Sequence, residues 1–349
     1  MKAVMLHGKG DVRVENVPDP TLQEATDVIV RITTSAICGS DLHPFHGRMP
    51  PDDPFSIGHE FVGVVEEAGK EVRAVKRGDR VVAPFSVSCG FCYFCRNRLP
   101  AQCETTNHAV FGMGRRGGGW PGAQAQYIRV PYADFMLECI PSELTDEQAL
   151  FLGDIFSTGY FCAENGAIRP GDTVAVFGSG PVGLCTQMAA QLFGPARVLA
   201  VDYVPYRLER SKALGCVPVD ASAADSVEQI RALTHGRGAD VTLEAVGHEA
   251  ALQMAIKAVR PGGTISSVGV YVEKTFDFPI GDAFLRDLTL KMGKCNARNY
   301  IAPLMPLIHQ GKVDPTVIIT HTLPLSDAVR GYRIFDHKEE QAIKVILKP

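Results

Sequence analysis

The apolar positions of this chain follow two different rhythms. Through residue 150, short alternating or β-branched runs, among them Val28–Thr33, Phe61–Glu66 and Arg80–Ala83, are separated by Gly, Pro and Asp. That pattern predicts a compact, loop-rich β domain. Near Thr173 the rhythm changes to an apolar strand, a glycine turn and a helix, repeated, as in a parallel sheet flanked by helices. Strands are predicted at Thr173–Phe177, Arg197–Val201, Val241–Ala245, Thr264–Val268 and Leu288–Met292. Helices are predicted at Val182–Phe193, Arg207–Leu214, Val227–Thr234 and Ala250–Val259, the last stopped by Pro261-Gly262-Gly263. After about Asn296 the alternation ends. A helix over Pro303–His309 and an apolar strand over Ala342–Leu347 remain, and they are expected to pack back on the first domain. The expected division is 1–157 with 297–349 returning to it, and 158–296.

Length and composition agree with two folding units. A chain of 349 residues exceeds one ordinary core, and 46% hydrophobic with 21% charged residues is a globular balance. No apolar run reaches the roughly 18 residues of a membrane span, and the opening MKAVMLHGKGDVRVENV has no signal core, so a cytoplasmic protein off the membrane is expected. A net charge of -4 without a basic block gives no footprint for nucleic acid, which favours a small-molecule substrate.

The strand Thr173–Phe177 runs into Gly178-Ser179-Gly180-Pro181-Val182-Gly183. This is a G-x-G-x-x-G turn opening a helix, whose N-terminal amides suit a pyrophosphate. Asp202 ends the next strand at the fingerprint spacing, placed to accept ribose hydroxyls and repel a 2′-phosphate. NAD(H) is therefore expected over NADP(H), with Tyr203 and Arg207 able to modify the pocket. Four of the ten cysteines, Cys89, Cys92, Cys95 and Cys103, form a C-x2-C-x2-C-x7-C array. Four thiolates close a tetrahedron around Zn2+ and leave no open position, which makes the site structural. Cys38, His59, Glu60 and Asp154 are further zinc-type donors, but they are scattered, and spacing alone does not assemble them.

Taken in order, Cys38-Gly39-Ser40-Asp41-Leu42-His43, Gly58-His59-Glu60, the cysteine array, Phe156-Ser157-Thr158-Gly159-Tyr160, the glycine turn and Asp202 resemble the zinc-dependent medium-chain alcohol dehydrogenases. Polyol, threonine and formaldehyde dehydrogenases are close relatives within the same pattern. The resemblance implies an α/β protein: a GroES-like β-barrel catalytic domain plus a Rossmann domain with a doubly wound parallel sheet, the active site lying in the cleft between them. It implies Cys38 and His59 as ligands of a catalytic zinc. The third is Asp154, where many members have cysteine, with Glu60 as an alternative ligand that exchanges with water. Asp41 would fix the tautomer of His59, and Ser40 would relay a proton towards His43. Two zinc ions per chain, one catalytic and one structural, NAD, a small neutral alcohol or carbonyl substrate, and a homodimer or homotetramer are what the resemblance implies. A zinc-free medium-chain quinone or enone reductase shares the fold, but would leave the metal donors without work. Phe85, Trp120, Val270 and Cys295 are candidates for the substrate pocket as well as for ordinary packing.

Overall fold

A computed structural model describes residues 1–49 and 53–349. The chain divides into two compact units, Met1–Ser157 with Asn296–Pro349, and Thr158–Cys295.

In the first unit the longest strand, Val28–Ile37, is buried along nearly its whole length, which explains its near-continuous run of apolar and β-branched residues. It stands inside a seven-stranded sheet. The path runs Ile319–Pro324, Lys344–Lys348, Val28–Ile37, Phe61–Ala68, Arg80–Val82 and Glu138–Cys139, and Tyr127–Val130 also pairs with Val28–Ile37. The strand extends beyond Thr33 because Ser35, Ala36 and Ile37 find partners in Leu347, Ile346 and Val345 of the C-terminal strand. A second sheet orders Asp11–Asn16, Lys2–Gly8 and Phe55–Ser56. The pairings form an open path of strands, with single bridges such as Ala3 to Ala125 between separate segments. One core gathers Val28, Val30, Phe61, Val81, Phe111 and Ile128. Another gathers Leu6, Ile37, Ile57, Val345 and Leu347 with Tyr332 and Phe335 of the helix Ala328–His337.

Two pairings determine what meets at one end of the larger sheet. Ser35 lies opposite Phe61, so Cys38, just past the end of one strand, and His59, just before its antiparallel neighbour, reach the same place. Val62 pairs with Val82, which brings Ala83 there too. Gly153 completes the set: a Cβ on it would sit 2.4 Å from the Ala83 carbonyl oxygen, so only glycine lets this segment approach and deliver Asp154.

The second unit is a six-stranded parallel sheet in the order Val217–Asp220, Arg197–Asp202, Thr173–Phe177, Ala239–Glu244, Val259–Ser267, Thr289–Met292. This is the 3-2-1-4-5-6 order of a doubly wound dinucleotide-binding sheet. Helices Pro181–Gln191, Pro205–Ala213, Ser226–Leu233 and Glu249–Ala258 start one or two residues ahead of their expected positions, two of them on a proline at the first helical position. Val217–Asp220 shows no apolar run because it is a half-exposed edge strand containing Pro218. Among the described residues, no helix is long and apolar enough to cross a membrane.

Candidate metal centres and dinucleotide site

Cys38, His59 and Asp154 each present one donor atom, and the three atoms lie within 4.8 Å of one another. His59 Nε2 is 3.2 Å from Asp154 Oδ2, and Cys38 Sγ is 3.6 Å from the same oxygen. The Ser40 hydroxyl donates to Cys38 Sγ at 3.3 Å and is 3.2 Å from His59 Nε2. All three donors are buried. Burial, followed by the charges of Asp154 and Glu60, pushes the Cys38 thiol up. Burial works to lower His59, but the Asp41 charge and the neighbouring Asp154, Asp41 and Cys38 side chains outweigh it, and its pKa lies well above the usual imidazole value. Thiolate, imidazole and carboxylate are a normal zinc donor set, and here the three converge and are buried, so these residues fit the metal.

Glu60 faces a different partner. Its Oε2 is ion-paired with Lys344, both side chains fully buried, and Lys344 Nζ also donates to the Ile37 carbonyl at 3.0 Å. Burial pushes the Glu60 carboxyl up to about 7 against the lowering effect of the Lys344 charge. Glu60 Oε1 has no hydrogen-bond partner. His43 sits half-buried on the short helix Leu42–Phe45 that follows Ser40. Phe85 stands edge-on to the His59 ring, 6.3 Å between centroids. Trp120 packs on the first unit's core, with the Arg129 guanidinium 4.8 Å over its ring. Val270 is exposed and Cys295 buried within the second unit.

The four sulfurs of Cys89, Cys92, Cys95 and Cys103 also lie within 4.8 Å of one another. Cys89 and Cys95 are 4.0 Å apart, Cys92 and Cys103 3.8 Å. A disulfide needs about 2 Å, whereas four sulfurs at the usual Zn–S length of about 2.3 Å would stand about 3.8 Å apart at tetrahedral corners. Backbone amides already face the sulfurs: Cys92 N–H donates to Cys89 Sγ and Cys89 N–H to Cys103 Sγ. Burial opposes a thiolate at Cys92, yet backbone hydrogen bonds from Cys95 and Glu104 outweigh it and bring the thiol to about 6. This set fits a closed structural zinc.

In the second unit the glycine turn leads straight into the helix Pro181–Gln191. A Cβ on Gly183 would lie 2.0 Å from the Gly178 carbonyl oxygen, so the turn and the first helical residues pack backbone to backbone. Asp202 stabilises the turn from beneath. Its Oδ2 accepts from Ser179 N–H at 2.6 Å and its Oδ1 from Tyr203 and Val204 N–H at 2.8 and 2.9 Å. Three amides on two oxygens leave Oδ2 with one further acceptor direction. The Arg207 Nη1 lies 3.7 Å from where a Cβ on Gly180 would be, and its Nε has no hydrogen-bond partner.

Sequence reasoning did not single out Gln124, Tyr332 or Lys344, which surround the first metal centre. Gln124 and Tyr332 carry no signal of their own. Lys344 is the one charge inside the apolar run Ala342–Leu347, the only sign of it that the sequence carries.

The comparisons with known proteins agree with this geometry. The alcohol dehydrogenase GroES-like domain model matches residues 24–142, and the zinc-binding dehydrogenase model matches residues 181–310. An uncharacterised zinc-type alcohol dehydrogenase-like protein of Bacillus subtilis (strain 168) is 41% identical over 379 residues, covering 100% of both chains. An alcohol dehydrogenase of Cupriavidus necator is 35% identical over 362 residues, covering 100% of this chain and 99% of its own. The solved alcohol dehydrogenase of Thermus sp. ATN1 superposes with a TM-score of 0.94 at 42% identity, over 100% of this chain and 99% of that one. The chain belongs to the zinc-dependent medium-chain alcohol dehydrogenase family, and it is a zinc-type alcohol oxidoreductase with the α/β architecture of that family.

Proposed function

We propose that this protein uses NAD(H) to interconvert a small neutral alcohol and its aldehyde or ketone, and carries a catalytic and a structural zinc. The observation that carries the reading is the convergence of Cys38, His59 and Asp154 in one buried cluster, with the Ser40 hydroxyl beside it. Asp154 is the third ligand in this reading, since Glu60 is engaged by Lys344. Zinc bound there would supply a Lewis acid that lowers the pKa of a substrate hydroxyl, and the dinucleotide would accept the hydride. Ser40 Oγ takes the substrate proton as its own hydroxyl proton leaves towards His43, three residues on, which passes a proton to solvent. Phe85 edge-on to His59 helps keep water from the donors. Cys89, Cys92, Cys95 and Cys103 hold the structural ion, and the turn Gly178 to Gly183 receives the pyrophosphate, with Pro181 and Val182 starting the helix whose amides face it. Arg207 beside Gly180 adds a positive charge, and the remaining acceptor direction of Asp202 takes a ribose hydroxyl and disfavours a 2′-phosphate.

The domain assignment that goes with this reading is a catalytic part, 1–157 with 297–349, and a dinucleotide-binding part, 158–296. Assembly as a homodimer or homotetramer and residence in the cytoplasm complete the proposal. The test is metal analysis with NADH absorbance across a panel of alcohols. Alcohol-dependent NADH formation with about two zinc per chain supports the reading, and zinc without hydride transfer to NAD or NADP contradicts it.

A further inference from the structure

Two buried polar atoms at the first metal centre lack hydrogen-bond partners, and they face each other. His59 Nδ1 and Asp41 Oδ1 are 3.2 Å apart, off the line of the ring N–H. The other Asp41 oxygen is fully committed. Its Oδ2 accepts from Cys38 N–H at 2.9 Å and from Gln124 Nε2 at 3.1 Å. Gln124 is itself locked: its second amide hydrogen goes to the Ala36 carbonyl at 3.1 Å, and its Oε1 accepts from Tyr332 Oη at 2.9 Å. A flipped amide would set its oxygen against two acceptors, so only one orientation satisfies the network. Asp41, Gln124 and Tyr332 are all fully buried, where a half-satisfied network is costly.

We propose that Gln124 and Tyr332 are positioning residues for the metal centre. They hold Asp41 so that Oδ1 is the one oxygen open to His59 Nδ1–H, which fixes the His59 tautomer and leaves Nε2 bare towards Cys38 and Asp154. The helix Ala328–His337 thereby reaches the donors through three side chains. This inference rests on the proposed metal-binding role of Cys38, His59 and Asp154.

The test is zinc release from the purified, zinc-loaded protein into a chromophoric chelator, with Cys38→Ser identifying which kinetic phase belongs to this centre. Partners of zinc-bound histidines carry about 10–100-fold in metal affinity, so Gln124→Leu is expected to speed that phase at least about tenfold. Tyr332→Phe, which keeps the ring packing, is expected to speed it by a smaller factor. The four-cysteine zinc serves as the internal control and is expected to leave at the wild-type rate. Histidine nitrogen NMR gives a second readout: the slowly exchanging Nδ1–H of His59 is expected in the wild type and broadened or lost in Gln124→Leu. Unchanged release from Gln124→Leu and Tyr332→Phe, or equal acceleration at both centres, overturns the positioning role. A wild-type protein with no Cys38-dependent zinc phase overturns instead the reading of the site on which it rests.

Discussion

Lys344 and Glu60 form an ion pair sealed from water, with Lys344 also donating to the Ile37 carbonyl and lying over the Phe151 ring. Desolvating each ion costs several kcal/mol, which the pair recovers only while both members are present. Lys344→Met is therefore expected to lower unfolding stability by ~3–5 kcal/mol in urea titrations. Adding Glu60→Gln should recover a large part of that loss, and a double variant as unstable as the two singles summed would show that the pair is not the cause. At the donors, Asp154→Ala should release about one zinc per chain and abolish turnover while NADH binding survives. If that variant keeps its metal, Glu60 has taken the third position, since its Oε1 is already without a partner.

At the scale of elements, the two candidate metal sites are built in different ways, and this decides what the sequence could reveal. The cysteine array is local: a short loop, the helix Tyr93–Arg96 and the residue capping the turn Pro100–Gln102 carry all four sulfurs, so spacing announces the site. Cys103→Ser is expected to raise amide hydrogen exchange across residues 89–103 while the zinc held by Cys38, His59 and Asp154 stays bound. Loss of both ions together would contradict separate roles. The first centre depends on the pairing of Ser35 with Phe61 and of Val62 with Val82, a sheet register that no local pattern specifies. Family resemblance could nominate Cys38, His59 and Asp154 but could not exhibit their meeting. Gln124 and Tyr332 stayed invisible because a single buried polar residue has no periodicity. The inner parallel strands Thr173–Phe177, Arg197–Asp202 and Ala239–Glu244 were legible because burial on both faces writes near-continuous apolar runs. The edge strand Val217–Asp220 escaped for the opposite reason. The glycine turn was legible too, and its packing predicts that Gly183→Ala, with a Cβ 2.0 Å from the Gly178 oxygen, will weaken NADH binding at least about tenfold and lower stability by ~1–3 kcal/mol.

Across the whole molecule, two compact units divide the proposed chemistry, the candidate metal donors in Met1–Ser157 with Asn296–Pro349 and the candidate dinucleotide turn in Thr158–Cys295. That division predicts separable losses. Asp202→Ala should weaken NADH binding and narrow the preference for NAD over NADP while zinc content is unchanged, and an unaltered preference would remove the basis for choosing NAD. Stripping and restoring the metal while following alcohol-dependent NADH absorbance measures whether this oxidoreductase needs its zinc to pass a hydride to NAD. NADH formation is expected to stop once the zinc proposed to sit on Cys38, His59 and Asp154 is removed and to return when zinc is added back. Undiminished NADH formation by protein lacking that zinc would contradict that requirement.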